Sequence, residues 1–472
     1  MIKFILNNKL IETEVHPGTT VLDFVRYHQH LCGTKIGCRE GDCGACTVLV
    51  GELKDDKVRY RSMTSCLTPL ANAAGKHIVT VEGINTEQLT PVQQAMHDES
   101  ATQCGFCTPG FVMSLTGFAI KDSSDHSGKE AIASVDGNIC RCTGYKSIQR
   151  AAVSVATLLA ENQNAGTLEF AVSRKIVPDY FLSIAGRLKE LSAFPSASPK
   201  EIKYRVAGGT DLYVQKHGEM TEGDMQYFFN DDAKRRIAVE GQTCILGPAV
   251  TVTDLVESEV FNKAFPDFES YFRLVSSTPI RNMATIAGNF VNASPIGDFT
   301  AFFLAAGAKI VLSDDRIERV IDLDKFYLGY KSLDKKPEEY ISRIQFDLPS
   351  QNTRFNFEKV SKRTNLDIAS VNTAIRIEMS GQTMSKVTIS AGGVGPVPMV
   401  LKSTSAFLTG KSVSEELLTD IRKQVENDIS PISDARGTAE YKKLLLSQLI
   451  KAHFLKLFPS LNEAEVLKGG VR

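Results

Sequence analysis

The sequence has almost no net charge, no long apolar run and very little cysteine beyond residue 142, and each shortage narrows what the chain can do. Lysine plus arginine number 54 against 55 aspartates plus glutamates, a formal net charge of −1 at pH 7. There is thus no basic field to hold nucleic acid. No apolar stretch approaches the roughly 20 residues that a membrane-spanning helix needs. The opening Met1-Ile2-Lys3-Phe4-Ile5-Leu6 is short and charged and reads as a strand rather than a secretory signal. A reducing cytoplasm is the expected compartment, and disulfides are not expected there. No GxGxxG fingerprint marks a Rossmann unit at the glycine turns. At roughly 150 residues per domain, 472 residues suggest three or four domains.

Ten cysteines are present, and eight fall into two tight sets. Cys38, Cys43, Cys46 and Cys66 read C-x4-C-x2-C with a fourth cysteine further on, the plant-type 2Fe-2S ferredoxin spacing. Glycine flanks the first two, in Gly37-Cys38 and Cys43-Gly44, so the loop can visit positive φ and form a nest of N–H donors around an anionic cluster. Zinc sites more often pair two short knuckles, which makes this spacing a poorer match for zinc. The second set is Cys104, Cys107, Cys140 and Cys142, and its spacing alone leaves iron–sulfur, zinc or free thiols open. Cys32 stands apart at an expected helix end, and Cys244 reads as a buried strand residue.

Along the chain, Lys3-Phe4-Ile5-Leu6, a turn at Asn7-Asn8 and Thr47-Val48-Leu49-Val50 predict strands, with a helix over 21–31. Thr90-Pro91 and Thr108-Pro109 each place an N-cap before proline, and Ile148, Ala152, Val155 and Leu159 form a helical stripe. Polar residues 121–128 predict a loop. Residues 161–166 predict the major linker. Alternation at 373–377 and 386–390 predicts an antiparallel sheet, followed by a helix over 438–458 with Tyr441, Leu444, Leu445 and Leu449 on its packing face.

The segments Gln103-Cys104-Gly105-Phe106-Cys107-Thr108-Pro109-Gly110 and Gly137-Asn138-Ile139-Cys140-Arg141-Cys142-Thr143-Gly144-Tyr145 resemble the second 2Fe-2S domain of the molybdenum hydroxylases, the family of xanthine dehydrogenase and aldehyde oxidase. Residues 37–46 with Cys66 are similar to the N-terminal ferredoxin-like domain of that family. Arg205-Val206-Ala207-Gly208-Gly209-Thr210-Asp211-Leu212 and Thr285-Ile286-Ala287-Gly288-Asn289 look like its flavin-binding domain. Residues 434–441 resemble its C-terminal flavoprotein subdomain.

The resemblance covers nearly the whole chain and implies an α+β multidomain fold. Its expected parts are a β-grasp ferredoxin-like domain over 1–82, a helical-bundle 2Fe-2S domain over 83–160 and a linker over 161–175. A two-part α+β FAD-binding domain of vanillyl-alcohol-oxidase type would follow over 176–350, with an α+β flavoprotein domain of sheet and helices over 351–472. It implies two 2Fe-2S clusters, one on each cysteine set, and FAD held by residues 205–212, residues 285–289 and Asp298, with Lys359, or else Lys362, near the flavin ring. Gln103 would face the pterin of a partner chain.

The expected role is that of the small iron–sulfur/FAD subunit of a two-subunit bacterial enzyme, an NAD-dependent xanthine dehydrogenase. No molybdenum-cofactor domain follows the flavin modules, so substrate oxidation is expected in a large molybdopterin-binding partner, two small and two large chains forming a heterotetramer. Electrons would pass from molybdenum through the clusters to FAD and on to NAD+, and no residue here need act as acid or base on the purine. The related alternatives are an aldehyde or N-heterocycle hydroxylase subunit, or a self-contained NAD(P)H-dependent iron–sulfur flavoprotein.

Overall fold

The computed structural model describes residues 1–123, 125–162, 166–191, 202–363, 366–419 and 421–467. Ser124 of the expected loop and residues 163–165 of the expected linker lie outside them. The chain forms two compact units, Met1–Asn230 together with Ser277–Ala284, and Asp231–Ser276 together with Thr285–Arg472. The two compact units thus divide after residue 230, downstream of the linker expected at 161–166. Residues 167–173, read from sequence as linker, form a helix whose Phe170, Ala171 and Val172 join the apolar core of the preceding helices.

In the first unit a five-stranded sheet runs in the order Lys9–Thr13, Ile2–Leu6, His77–Val79, Thr47–Lys54, Lys57–Thr64. Its pairings are antiparallel except between Ile2–Leu6 and His77–Val79. Asn7 takes the left-handed conformation at the first hairpin, with φ 52°. The helix expected over 21–31 is shorter and irregular. Thr20 Oγ1 caps it by accepting from Asp23 N, three α-helical residues follow, and Phe24–His28 continues as a π-helix. Leu22, Phe24 and Val25 are buried in one core with Phe4, Val48 and Val50 of the sheet.

His77 is fully buried, with Nε2 2.8 Å from the Asn7 carbonyl and Nδ1 2.8 Å from the Tyr60 hydroxyl. A carbonyl only accepts, so Nε2 carries the hydrogen, Tyr60 donates to Nδ1, and the ring is neutral. Burial, with Arg187 adding to it, pushes the His77 pKa down to about 3. An unfolded histidine binds its proton near pH 6.5. His77 therefore contributes full stability above about pH 6.5, and this is lost as pH falls toward 3, by up to about 1.4 kcal/mol per pH unit. Urea unfolding at pH 7 and pH 5 should show that slope, and His77→Gln should flatten it.

The helical part follows. Thr90 and Gln93 form a capping box on Pro91–Asp98, as the Thr90-Pro91 pair predicts. The second helix, Thr108–Ala119, begins one residue earlier than expected, so that Cys107 itself occupies the N-cap. Ile148, Ala152, Val155 and Leu159 are all buried on Lys146–Leu159. The later segment Ser277–Ala284 belongs to this unit through specific bonds. Arg281 Nη2 lies 2.6 Å from Asp136 Oδ2, both side chains nearly buried, and Thr278 N donates to Asp136 Oδ1 at 2.8 Å. Asn282 Nδ2 donates to the Ser62 carbonyl at 2.8 Å.

In the second unit an antiparallel five-stranded sheet runs Glu318–Asp322, Lys309–Ser313, Tyr340–Asp347, Thr243–Leu246, Ile237–Glu240. Cys244 is buried on it, as its sequence context predicts, and burial pushes its thiol up to about 12. A four-stranded antiparallel sheet follows in the order Thr353–Val360, Val371–Ser380, Thr383–Gly392, Met399–Val400. Thr438 caps the helix Ala439–Leu457. Its buried face matches the expected one at Leu449, and at Leu445, which packs against the core, but not at Tyr441. Tyr441 is exposed, and Leu446, Leu449, Ile450 and Phe454 are buried together with Lys442, Lys451 and His453. Lys442 tolerates burial because its ammonium lies 2.8 Å from Asp434 Oδ2.

Candidate functional site

The loop from Gly37 to Cys46 has no regular structure. Arg39, Gly41 and Gly44 take φ of 60°, 81° and 67°, so the backbone turns back on itself three times within six residues. Arg39 can hold this conformation because its guanidinium grips Asp23 with two bonds of 2.6 and 3.0 Å. Burial works to raise the Asp23 carboxyl, but the bonds from Arg39 and Thr20 outweigh it and hold the pKa low.

The four thiols of the first set approach in two pairs. Cys43 and amide N–H groups, among them Glu40 N at 3.3 Å from Sγ, bring the Cys38 thiol down to about 5, while Cys38 pushes Cys43 up. Cys46 and Cys66, both buried, repeat the arrangement, with Cys46 lowered by the Cys66 thiol and Cys66 raised by Cys46 and by burial. A Cβ on Gly37 would come within 2.6 Å of Cys43 Sγ.

The second set is likewise paired. Cys142 Sγ lies 3.7 Å from Cys104 Sγ, and Cys142 is raised by it. Burial and then Cys140 push Cys107 up to about 12. Cys140 is lowered although burial opposes this, because the Thr143 hydroxyl and the Thr143 and Cys142 amides, at 3.2, 3.4 and 3.5 Å, all reach its sulfur. Gly144 and Tyr145, with φ of 66° and 69°, shape that loop. Among the described residues no three His, Cys, Asp or Glu are grouped to hold one metal ion. Two thiols per iron is what a two-iron cluster asks of its ligands, and the paired thiols fit that demand. Gln103 is exposed, and its Nε2 donates to the Cys142 carbonyl at 3.3 Å.

The residues expected at the flavin divide between the units. Arg205, Val206, Ala207, Gly208, Gly209, Thr210, Asp211 and Leu212 belong to the first. Here the strand Tyr204–Val206 runs into a tight turn and the helix Leu212–Gln215. A Cβ on Gly208 would stand 1.9 Å from the Met283 carbonyl, and Gly209 has φ 81°. Only glycine leaves this turn open to close backbone approach, as a diphosphate requires. Arg205 Nε donates to Gln226 Oε1 at 3.1 Å.

Thr285, Ile286, Ala287, Gly288, Asn289, Asp298 and Lys359 belong to the second unit. Thr285 Oγ1 accepts from Gly288 N at 3.1 Å, and Asn289 Oδ1 accepts from Thr300 Oγ1 at 3.3 Å. Asp298 and Lys359 meet directly, with Nζ 2.9 Å from Oδ2. The Lys359 ammonium also donates to the Leu274 and Asp367 carbonyls at 2.7 and 3.0 Å, which uses all three of its N–H bonds. Lys362 is exposed and donates to the Ala435 carbonyl at 2.7 Å. Asn372, which sequence reasoning did not single out, donates to Asp298 Oδ1 at 2.6 Å and to the Ile296 carbonyl at 3.1 Å. A buried polar residue on an apolar strand is the only sign of it in the sequence.

A pair of cysteine-ligand domains joined to a two-part flavin domain defines an iron–sulfur flavoprotein. Family models match all four parts: the 2Fe-2S iron-sulfur cluster binding domain over residues 4–71, the 2Fe-2S binding domain over 80–153, the FAD binding domain in molybdopterin dehydrogenase over 180–349, and the CO dehydrogenase flavoprotein C-terminal domain over 357–457. The chain belongs to the molybdenum hydroxylase family and carries its iron–sulfur and flavin modules. It is 30% identical to a xanthine dehydrogenase of Emericella nidulans over 94% of this chain and 38% of that protein. It is 26% identical to the xanthine dehydrogenase/oxidase of Rattus norvegicus over 99% of this chain and 40% of that protein. The chain thus spans about two fifths of the length of these relatives. Among solved structures, a chain of carbon monoxide dehydrogenase from Hydrogenophaga pseudoflava superposes with a TM-score of 0.50 at 24% identity, covering 54% of this chain and 90% of that one, a likeness of fold. No helix among the described residues is long and apolar enough to cross a membrane.

Proposed function

We propose that this chain is the electron-transfer part of a cytoplasmic xanthine dehydrogenase and passes electrons from a partner's molybdenum cofactor through two clusters and FAD to NAD+. The observation that carries this reading is the match to proteins named xanthine dehydrogenase along almost the whole chain, with both paired-thiol sets inside the matched 2Fe-2S domains. Cys38 with Cys43 and Cys46 with Cys66 would each hold one iron of the first cluster. Cys104 with Cys142 and Cys107 with Cys140 would do so for the second. When bound, the clusters move electrons singly and FAD converts between single electrons and pairs. The chain's residues position these groups. Residues 205–212 and 285–289 would hold FAD through backbone N–H groups, and Lys359 would act by fixing Asp298, since its own N–H bonds are taken. Gln103, exposed beside Cys142, would face the pterin of a large molybdopterin-binding chain in a heterotetramer of two small and two large chains.

A second reading has a different acceptor and a related substrate, an aldehyde or an N-heterocycle. It is favoured by the C-terminal model, whose description is of a CO dehydrogenase flavoprotein. The test is to purify the full chain anaerobically, count iron and flavin, and add NADH. About four irons and one FAD per chain, with both chromophores bleached by NADH, are expected. Bleaching by dithionite but not NADH would overturn the NAD+ assignment. Xanthine should bleach them only after a molybdenum-containing partner is added, and an aldehyde doing so in its place would move the substrate to the second reading.

A further inference from the structure

One buried carboxamide touches the backbone of both cysteine sets. Asn138 is 5% exposed and lies two residues before Cys140. Its Nδ2 donates to the carbonyl of Gly44, the residue after Cys43, at 3.1 Å, and its Oδ1 accepts from Ser114 Oγ on the helix that follows Cys107, at 2.7 Å. The next amide along, Ile139 N, donates to the Cys43 carbonyl at 3.0 Å. A single hydrogen bond and one residue thus connect Cys43 of the first set to Cys140 of the second.

The surroundings are built so that nothing can come between them. A Cβ on Gly44 would lie 2.3 Å from the Gly137 carbonyl, and a Cβ on Gly110 would lie 2.2 Å from the Gly44 carbonyl. Gly44 and Gly110 therefore let three backbone segments close around the Asn138 side chain. Gly44 has φ 67°, which turns its carbonyl away from the ordinary course of the chain.

We propose that Asn138 is a positioning residue that clamps the first cluster's loop to the second cluster's ligand segment and so maintains the through-bond coupling between the clusters. This rests on the two-cluster reading above. The clamp is separable from folding, because the Gly44 carbonyl also accepts from Thr47 N at 3.1 Å and Thr47 Oγ1 at 2.7 Å. Removing Asn138 leaves that carbonyl satisfied, and the smaller alanine introduces no clash.

The experiment compares wild type, Asn138→Ala and Ser114→Ala as full-length, cluster-loaded protein reduced with dithionite. It reads iron content, thermal unfolding and the low-temperature electron paramagnetic resonance spectrum. In wild type the two reduced, paramagnetic clusters should split each other's signals. Asn138→Ala is expected to keep both cluster signals and full iron while the splitting narrows. Full iron with the splitting unchanged overturns the proposal. If Asn138→Ala loses iron, Ser114→Ala decides, because it frees the carboxamide to rotate while leaving the backbone intact. A narrowed splitting there supports the clamp, and an unchanged one overturns it. Wild type with fewer than four irons would instead sink the two-cluster reading itself.

Discussion

Cys66→Ser is expected to remove about two of about four irons from the chain, while Cys32→Ser leaves all of them in place. Cys66 is 1% exposed and faces Cys46, also buried, so the first cluster would lose a ligand that no water can replace. Cys32, only six residues before Cys38, is exposed. Its carbonyl, not its sulfur, is engaged, accepting from Arg26 Nη1 at 3.1 Å and Lys35 Nζ at 3.0 Å. The second cluster's signals should survive in Cys66→Ser, because its four thiols pair among themselves. Iron analysis with electron paramagnetic resonance of the reduced protein checks both variants. Equal iron loss in the two would refute the ligand assignment.

Asp298→Ala is expected to destabilise the protein by about 3–5 kcal/mol, because it leaves an ammonium buried without its counter-charge. The Lys359 side chain is only 1% exposed. The Leu274 and Asp367 carbonyls can still accept its hydrogen bonds, but neither carries a full charge. Asn372 would lose its 2.6 Å acceptor as well. The double variant Asp298→Leu/Lys359→Met removes both charges and should recover much of the loss, since a buried ion pair replaced as a unit is often neutral. Denaturant unfolding of all three proteins measures this. FAD content read in parallel separates stability from binding, and flavin loss in the stable double variant would mark the Asp298–Lys359 pair as needed for flavin binding. Equal destabilisation in single and double variants would refute the ion-pair argument.

The parts of this structure written in local spacing were legible in the sequence, and those made by distant contacts were not. Spacing and flanking glycines pick out the eight cysteines, but not that Cys38 pairs with Cys43 and Cys104 with Cys142, because pairing depends on how loops fold back. Thr90 with Gln93 announces a helix start correctly. At Thr108 the same reasoning is off by one residue, since the N-cap is Cys107, a type that cap preferences do not favour. The helix expected over 21–31 stops early because a π-helical turn, which no 3.6-residue pattern describes, takes over at Phe24. On Ala439–Leu457, Tyr441 looks like core and Lys442 like surface, yet the reverse holds, because Asp434 lies where it can pair with the lysine. Polarity misleads wherever a distant partner exists. Asn138 and Asn372 were hidden for that reason.

The pairing of Asp136 with Arg281 has a consequence for synthesis. The two are 145 residues apart in the chain. A ribosome adding roughly 5–20 residues per second needs on the order of 10–30 s to deliver Arg281 after Asp136 has emerged. During that interval Asp136, four residues before the first cysteine of the C-x-C pair, has no counter-charge, and the unit that carries all eight paired cysteines is incomplete. The cysteine sets are therefore expected to stay open to cluster insertion while the flavin modules are still being translated. Their final closure is timed by a segment, Ser277–Ala284, that lies past the middle of the FAD-binding domain.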